Sequence, residues 1–472
     1  MPHPETATGK DSPPGKNKWM ILCITCVGTL MGAINNSSIN LANPTLAVVF
    51  AVDVHQIQWV VTIYLLIICS VMLLFGRIGD RIGSHRVYLC GFAVFSAGSL
   101  FCGLSGSLAL LLTGRAVQAF GAAMIFATGM GLVAGAFPVS QRGQALGYNT
   151  VAVGLGSMCG PSIGGFILSR FSWHYIFFIN IPVGVIGFLL GLKFLRLPVP
   201  VNTKNLPRPD GKGALLFAVI IISLISAISG SFTGSVWLLL PAAALIFVFF
   251  RRERRHPSPL LDFDLLKNKR FAIGSLIAFF SYFTHFGVYF LMPFFMTEIL
   301  RLSTAAAALA LMVSPVCMAV TSPIFGTVSD RTGALRVMPY AFLVILAAQI
   351  IFGFLKPGSS PFLAACGLAL LGSGLGMLNA PNNSEIMTAA GPDYAGYAGG
   401  FISTTRYLAN CFGTAAAAGA FTGFRNLLER SREATDAFAG AFHRIIIAAA
   451  LIVCANLIVC LWLRFSEKDR KA

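Results

Sequence analysis

Gly76-Arg77-Ile78-Gly79-Asp80-Arg81-Ile82-Gly83-Ser84-His85-Arg86-Val87 separates two apolar runs, and Gly326-Thr327-Val328-Ser329-Asp330-Arg331-Thr332-Gly333-Ala334-Leu335-Arg336-Val337 separates another two. The offset is 250 residues (76 to 326), and Gly, Asp, Arg, Gly, Arg and Val match in place. A weaker echo pairs Gly143, Ala145, Gly147 and Gly160 with Gly396, Ala398, Gly400 and Gly413. Both stretches carry basic charge, which places them on the same side of a membrane. A same-direction repeat separated by an even number of spans implies two parallel halves related by an axis along the membrane normal.

The composition supports the membrane. Of 472 residues, 56% are hydrophobic and only 11% are charged, too little charge to cover a soluble protein of this length. Apolar runs of eighteen or more residues recur from end to end, each long enough to cross a hydrocarbon core of about 30 Å. Their continuity argues against a membrane β-barrel, whose strands alternate. About fourteen spans are expected, near 19–41, 55–75, 87–105, 108–135, 145–168, 175–194, 213–231, 235–250, 271–296, 303–325, 336–355, 362–383, 395–422 and 442–463. The first follows Lys10, Lys16 and Lys18, is long and lacks a small-residue cleavage site, so a retained span is expected rather than a signal peptide. The organisation this predicts is a tail at 1–18, a six-helix half at 19–196, two inserted helices at 197–250, a basic linker at 251–270, a second six-helix half at 271–464 and a tail at 465–472.

Lys and Arg number 34 against 17 Asp and Glu, a net charge of +17. Most of the basic residues fall in loops on one side, which the positive-inside rule assigns to the cytoplasm together with both termini. Charge spread over short loops does not suit nucleic acid, and no such partner is expected. The linker from Arg251-Arg252-Glu253-Arg254-Arg255-His256-Pro257 to Arg270 is expected to rest on anionic lipid headgroups. Most of the eleven cysteines sit singly inside apolar runs without metal-like spacing, so they read as packing residues, with no metal or cofactor.

Three motifs carry further chemistry. In the repeated stretches, Asp80 with Arg81 and Arg86, and Asp330 with Arg331 and Arg336, can form charge networks that hold one conformation closed and break in the other. Simple solvated loops obeying the charge rule are the plainer alternative. Leu112-Thr113-Gly114-Arg115-Ala116-Val117-Gln118-Ala119-Phe120-Gly121-Ala122-Ala123 puts Arg115 well inside the fourth run. A guanidinium there is costly, so it faces a cavity or a partner, unless it snorkels to the outer interface. In Gly156-Ser157-Met158-Cys159-Gly160-Pro161-Ser162-Ile163-Gly164-Gly165, the glycines let helices approach closely and Pro161 bends the helix. A phosphate cradle is excluded, since no strand precedes and no Gly-Lys-Ser/Thr follows. Helix packing alone is the plainer reading of this run.

On these residues the chain resembles the major facilitator superfamily, and within it the fourteen-spanning drug:proton antiporters, over nearly its whole length. The 76–87 stretch is similar to motif A, 112–123 to motif B, and 156–165 to motif C, the antiporter signature. Ser172-Trp173-His174-Tyr175-Ile176-Phe177-Phe178-Ile179-Asn180-Ile181-Pro182-Val183-Gly184 looks like the family's sixth-span opening, and Pro259-Leu260-Leu261-Asp262 before Phe271 like its linker into span nine. The resemblance implies an all-α major facilitator fold with two parallel six-helix halves and two inserted helices. It also implies rocker-type alternating access in the cytoplasmic membrane, amphipathic substrates, proton antiport, and a motif C that packs between the halves. A monomer is expected.

The resemblance departs at one place. The family's first span ends in a pattern like Leu-Asp-x-Thr, and here Ile34-Asn35-Asn36-Ser37-Ser38-Ile39-Asn40-Leu41-Ala42-Asn43-Pro44 occupies that position, with Asn35 where the family's acid stands. Asn35 lies about 24 Å along from Trp19. Asn35, Asn36, Ser37 and Asn40 cannot all face lipid, so a water-filled vestibule between the halves is expected to hold them. Among the acids, Asp53 and Glu298 fall at outer ends and Asp80, Asp330, Glu385 and Asp393 near the cytoplasmic side, with none near the midplane. Arg115, Arg406 and His285 do fall there. The cavity is therefore expected to be electropositive and to prefer neutral, zwitterionic or anionic amphiphiles over lipophilic cations. His285 has the range for proton coupling, and Asp80 or Glu385 are alternatives at the cytoplasmic mouth. Tyr64, Gln118, Tyr282, Tyr289, Asn379 and Asn382 are further candidates for a polar lining, though the plainer reading of each taken singly is structural.

The leading expectation is a secondary transporter exporting amphipathic drugs or toxic compounds against protons, in contact with membrane lipids. The alternative is a dedicated exporter or importer of one metabolite or organic anion, with altered or lost proton coupling. An embedded enzyme is not expected, because His-Glu-x-x-His, Gly-x-Ser-x-Gly and paired intramembrane carboxylates are missing from the sequence. A non-transporting sensor of this fold lacks an appended signalling domain to support it.

Overall fold

The structure, a computed structural model, describes residues 17–52, 57, 59–195, 210–228, 239–256, 259–391, 394–429 and 434–471. The tail up to residue 16, Asp53, Asp393 and the side chains of Asn40 and Pro161 lie outside the described residues.

The apolar runs are helices. In chain order they are α1 (Lys18–Val49), α2 (Trp59–Ile82), α3 (Ser84–Gly103), α4 (Leu108–Ala136), α5 (Arg142–Arg170), α6 (Asn180–Phe194) and α7 (Gly211–Ile228). There follow α8 (Leu239–Glu253), α9 (Lys269–Phe294), α10 (Thr304–Thr332), α11 (Ala334–Gly353), α12 (Pro361–Ala390), α13 (Ala395–Glu429) and α14 (Ala434–Lys471). Among the described residues, eleven helices are long and apolar enough to cross a membrane. The others, α7, α8 and α13, are shorter or more polar.

Helix packing reproduces the sequence repeat. Helix α3 packs on α4 as α11 packs on α12, α1 on α5 as α9 on α13, and α2 on α4 as α10 on α12. The two groups of helices meet through the repeat-related pairs α2 with α13 and α10 with α5. Helix α7 packs on α8 and lies against α2 and α13, on the flank of one of these seams.

The two repeated stretches are not loops. Helix α2 runs to Ile82 and α10 to Thr332, so each turn is a single glycine. Gly83 and Gly333 have φ of 100° and 93°, a region that a side chain makes costly. The expected span ends at 75 and 325 were set by loss of hydropathy. The backbone stays helical for two more turns because helix–helix contact, rather than lipid, covers it there.

Candidate functional site

At the end of the bundle that carries the repeated stretches, two carboxylates bridge the groups. Asp80, near the end of α2, accepts hydrogen bonds from the backbone N–H of Gly396 and Tyr397, both 2.9 Å, in the first turn of α13. Asp330, near the end of α10, accepts from Gly143 and Gln144, both 2.9 Å, in the first turn of α5. First-turn N–H groups have no partner within their own helix, and the helix dipole favours an anion there. Each charge-assisted bond contributes about 1.5–3 kcal/mol. The seams behind them close on glycine. A Cβ on Gly143 would meet Asp330 Oδ1 at 2.6 Å and the Gly326 carbonyl oxygen at 2.7 Å, and one on Gly147 would meet Pro323 Cα at 2.6 Å. Contact between α5 and α10 continues to Gly154, facing the Pro315 carbonyl, about 18 Å from the start of α5. Arg81 is half-buried, and Arg86, Arg331 and Arg336 are exposed.

A salt bridge beside Asp80 uses another arginine of the stretch, Arg77. Arg77 donates to Asp262 at 2.9 Å and lies over the Tyr397 ring, 4.3 Å from its centroid. The Tyr397 hydroxyl in turn accepts from the Asp262 N–H at 3.0 Å. The linker is thus fastened to the α2–α13 seam. It is also tied back to α8, where Glu253 accepts from the Leu261 N–H at 3.1 Å and Arg252 forks onto Asp210 at 2.8 and 2.9 Å. Burial raises the pKa of the Asp210 carboxyl, but hydrogen bonds from Arg252 and Gly213 and the neighbouring positive charges outweigh it and bring the value below 3.8. Glu385 pairs with Arg270 at 3.5 Å. Sequence reasoning missed Arg77, Asp262 and Tyr397 as a unit. The echo of Gly143 in Gly396 was the available signal, since these residues hold equivalent places opposite Asp330 and Asp80.

The polar stretch in α1 divides by helix face. Asn35 is 1% exposed, so it does not line a vestibule. Its Oδ1 accepts from Gln118 at 3.2 Å and Asn180 at 3.3 Å. Gln118 also donates to Ser99 and accepts from Arg115 at 2.6 Å. Arg115 is fully buried rather than snorkelling. Its Nε donates to the Val60 carbonyl at 3.0 Å, and its guanidinium covers the Tyr64 ring. Gly121 lets α4 approach α3, where a Cβ would meet Phe95 Cα at 2.6 Å.

Ser37 and Ser38 point to another neighbour. They donate to the carbonyls of Gly156 (3.2 Å) and Gly160 (2.8 Å). A Cβ on Gly156 would meet the Leu30 carbonyl oxygen at 2.9 Å, and one on Gly164 would meet Ser38 Cα at 3.2 Å. Motif C therefore packs α5 against α1 inside one group and not across the groups, contrary to the expectation. The reason is angular. Gly154, which faces α10, and Gly156 are two residues apart, about 200° around the helix. Gly165 lies on the same helix, beyond this contact.

Arg406 on α13 is half-buried, with its guanidinium carbon 5.4 Å from the Tyr407 ring centroid and within electrostatic reach of Tyr282. Tyr407 meets Phe126 of α4 across the groups at 5.6 Å. His285 is buried and stacked on Tyr289 at 5.7 Å, and its Nδ1 has no hydrogen-bond partner. Tyr289 donates to the Leu311 carbonyl at 3.2 Å. Asn379 is buried in α12, and Asn382 donates to the Gly274 carbonyl at 3.0 Å.

A two-part bundle joined by repeat-related contacts at one end can expose a substrate to one side of a membrane at a time, and the fold and this seam together define a membrane transporter. Residues 25–414 match the Major Facilitator Superfamily, and the chain belongs to that family. It is 36% identical over 457 residues to the riboflavin transporter RibZ of Clostridioides difficile (strain 630), covering 97% of this chain and 99% of that protein. It is 29% identical over 407 residues to the multidrug resistance protein Stp of Mycobacterium tuberculosis (strain ATCC 25618 / H37Rv), covering 85% and 75%. Among solved structures, the human organic anion transporter MFSD10 (TETRAN) superposes with a TM-score of 0.70 at 15% identity, over 95% of this chain and all of that one, a likeness of fold. These proteins are transporters and not enzymes.

Proposed function

We propose that the protein is a secondary active transporter of the cytoplasmic membrane, with about fourteen spans and cytoplasmic termini. In this reading it moves a planar aromatic metabolite, neutral or anionic, by alternating access. The observation that carries the reading is the set of residues around Arg406. Arg406 lies beside Tyr407 and within reach of Tyr282, Tyr407 packs on Phe126 across the groups, and among the described residues no carboxylate forms an ion pair with the guanidinium. Such a lining suits a ring system that stacks and accepts hydrogen bonds, and it repels lipophilic cations. The identity with a riboflavin transporter over almost the full length of both chains favours a flavin-like ring as the first compound to test. Export of drugs is the second reading, favoured by the likeness to Stp. With Asn35 buried and neutral, Asp80 on helix N–H groups and Glu385 on Arg270, His285 is the group to which this reading assigns proton coupling.

The test is flux of labelled riboflavin in proteoliposomes with and without a pH gradient, for wild type, Arg406→Gln and His285→Asn. Riboflavin is expected to move, and flat anionic aromatics to compete while ethidium does not. Loss of the guanidinium is expected to raise KM about tenfold, and His285→Asn to remove the gradient dependence. Stronger competition by ethidium than by riboflavin and anionic aromatics refutes the substrate class.

A further inference from the structure

Part of the 251–270 linker is committed to protein. Leu261 and Asp262 are held by Glu253, Arg77 and Tyr397, and Arg252 is held by Asp210. Arg251, Arg254 and Arg255 are exposed instead, and among the described residues none of the three forms a salt bridge. The acids beside them are turned away. Asp210 and Glu253 are 3% and 1% exposed. An oxygen of each faces the start of α7, at 2.8 and 2.7 Å from the position of a Cβ on Gly213. This contact also sets Lys212, which is exposed, beside the end of α8. Asp264 is exposed but pairs with Lys267 at 2.8 Å.

The arginines continue a stripe that faces lipid. Leu240, Ala244, Phe247, Arg251 and Arg254 follow one another at spacings of four and three, which puts them along one side of a helix. Leu240 and Phe247 are each 67% exposed. Helical bonding runs on past Glu253, since the Arg254 N–H donates to the Phe250 carbonyl and the His256 N–H to the Arg252 carbonyl, both at 3.1 Å. Arg254 and Arg255 therefore keep the register of α8. Helix α7 repeats the pattern from the same end, with Lys212, Leu215, Val219 and Ile222 all exposed at spacings of three and four. An apolar stripe that passes into basic residues marks the boundary between hydrocarbon and headgroups. A guanidinium takes a phosphate through two parallel hydrogen bonds. Three guanidiniums without an acidic partner leave a positive surface, and a zwitterionic headgroup brings a cation of its own to it.

We propose that the end of α8 is a binding surface for an anionic phospholipid. Its phosphate is held by Arg251, Arg254 and Arg255 with Lys212 beside them, and its acyl chains lie along Phe247 and Leu240. Helix α7 packs on α8 and lies against α2 and α13, so the lipid sits at the flank of that seam. The inference does not depend on what the protein transports.

The test uses Phe247→Trp, which puts a fluorophore on the stripe, and phospholipids with brominated acyl chains, which quench it on contact. The quenching is read on the purified full chain in neutral detergent, as the difference from the chain that keeps Phe247. Brominated phosphatidylglycerol is expected to reach half-quenching at a concentration about tenfold or more below brominated phosphatidylcholine, and inorganic phosphate at equal ionic strength is expected not to displace it. Arg254→Gln in this background is expected to reduce the preference about fivefold, and the triple variant Arg251→Gln/Arg254→Gln/Arg255→Gln to abolish it. The side chains replaced are exposed, so both variants are expected to fold, and the single variant decides if the triple does not. Equal quenching by the two lipids overturns the proposal, as does a preference that survives the arginine substitutions. Displacement by inorganic phosphate also overturns it, because that makes a soluble anion the ligand.

Discussion

Gly326→Ala is the most direct probe of the seam between α5 and α10. A methyl group there would run into the Gly143 carbonyl, with the carbonyl carbon at 2.7 Å and the Gln144 nitrogen at 3.1 Å. These are backbone atoms of a helix, so no rotamer change relieves the clash. Overpacking of this kind costs about 1–3 kcal/mol. The cost exists only while the helices touch, since a conformation with this end parted gives the methyl group room. The substitution therefore penalises the closed arrangement alone and shifts its equilibrium by about 5- to 150-fold toward opening. Hydrogen exchange in detergent or nanodiscs reads this shift, with peptides from 139–147 and 326–335 expected to exchange faster by that factor. Gly135→Ala is the control, because a Cβ there meets nothing within 4 Å. Equal exchange in the two variants would refute the reasoning. So would a fall in Tm for Gly326→Ala without faster exchange at this seam, because that would place the strain in the fold rather than in one conformation.

Asp330→Asn and Asp80→Asn each replace a carboxylate that accepts two N–H bonds, and each is expected to open the same end by about 1.5–3 kcal/mol per bond lost. The two sites share no partner, so the double variant is expected to show the sum in the same exchange assay. Gly164→Val is expected to lower Tm by pressing α5 away from Ser38 of α1 while leaving the opening equilibrium unchanged; a changed equilibrium at constant Tm would contradict the packing within one group. The Asp210 carboxylate has a folded pKa below its ordinary 3.8, so its tie to Arg252 contributes stability above that pH and loses it as pH falls through the folded value. Tryptic cleavage around Arg251–Arg255, assayed after exposure to each pH, is expected to be unchanged from pH 7 to 5 and to rise below about pH 4. Asp210→Asn is expected to give the same rise at neutral pH.

The membrane class, the succession of long apolar helices and the internal repeat were legible in the sequence because lipid imposes them. Every span must satisfy its own backbone bonds and show apolar side chains, and that constraint is written residue by residue. Buried charge is legible for the same reason, which is why Arg115 and Asn35 stood out before any fold was known. Partners are not legible in this way. Asp330 and Asp80 reach helix starts 187 and 317 residues away in the chain, and periodicity defines a helix face without saying what the face meets. Motif C shows the consequence: its glycines announce close approach, but only the packed bundle decides that they meet α1 and that Gly154, half a turn round, meets α10. The polar run of α1 was likewise visible as an anomaly. Tertiary packing alone turned Asn35 toward Gln118 and Asn180, turned Ser37 and Ser38 toward α5, and set Arg115 against the Val60 carbonyl, Gln118 and the Tyr64 ring, because hydrogen-bond satisfaction is settled between helices and not along one.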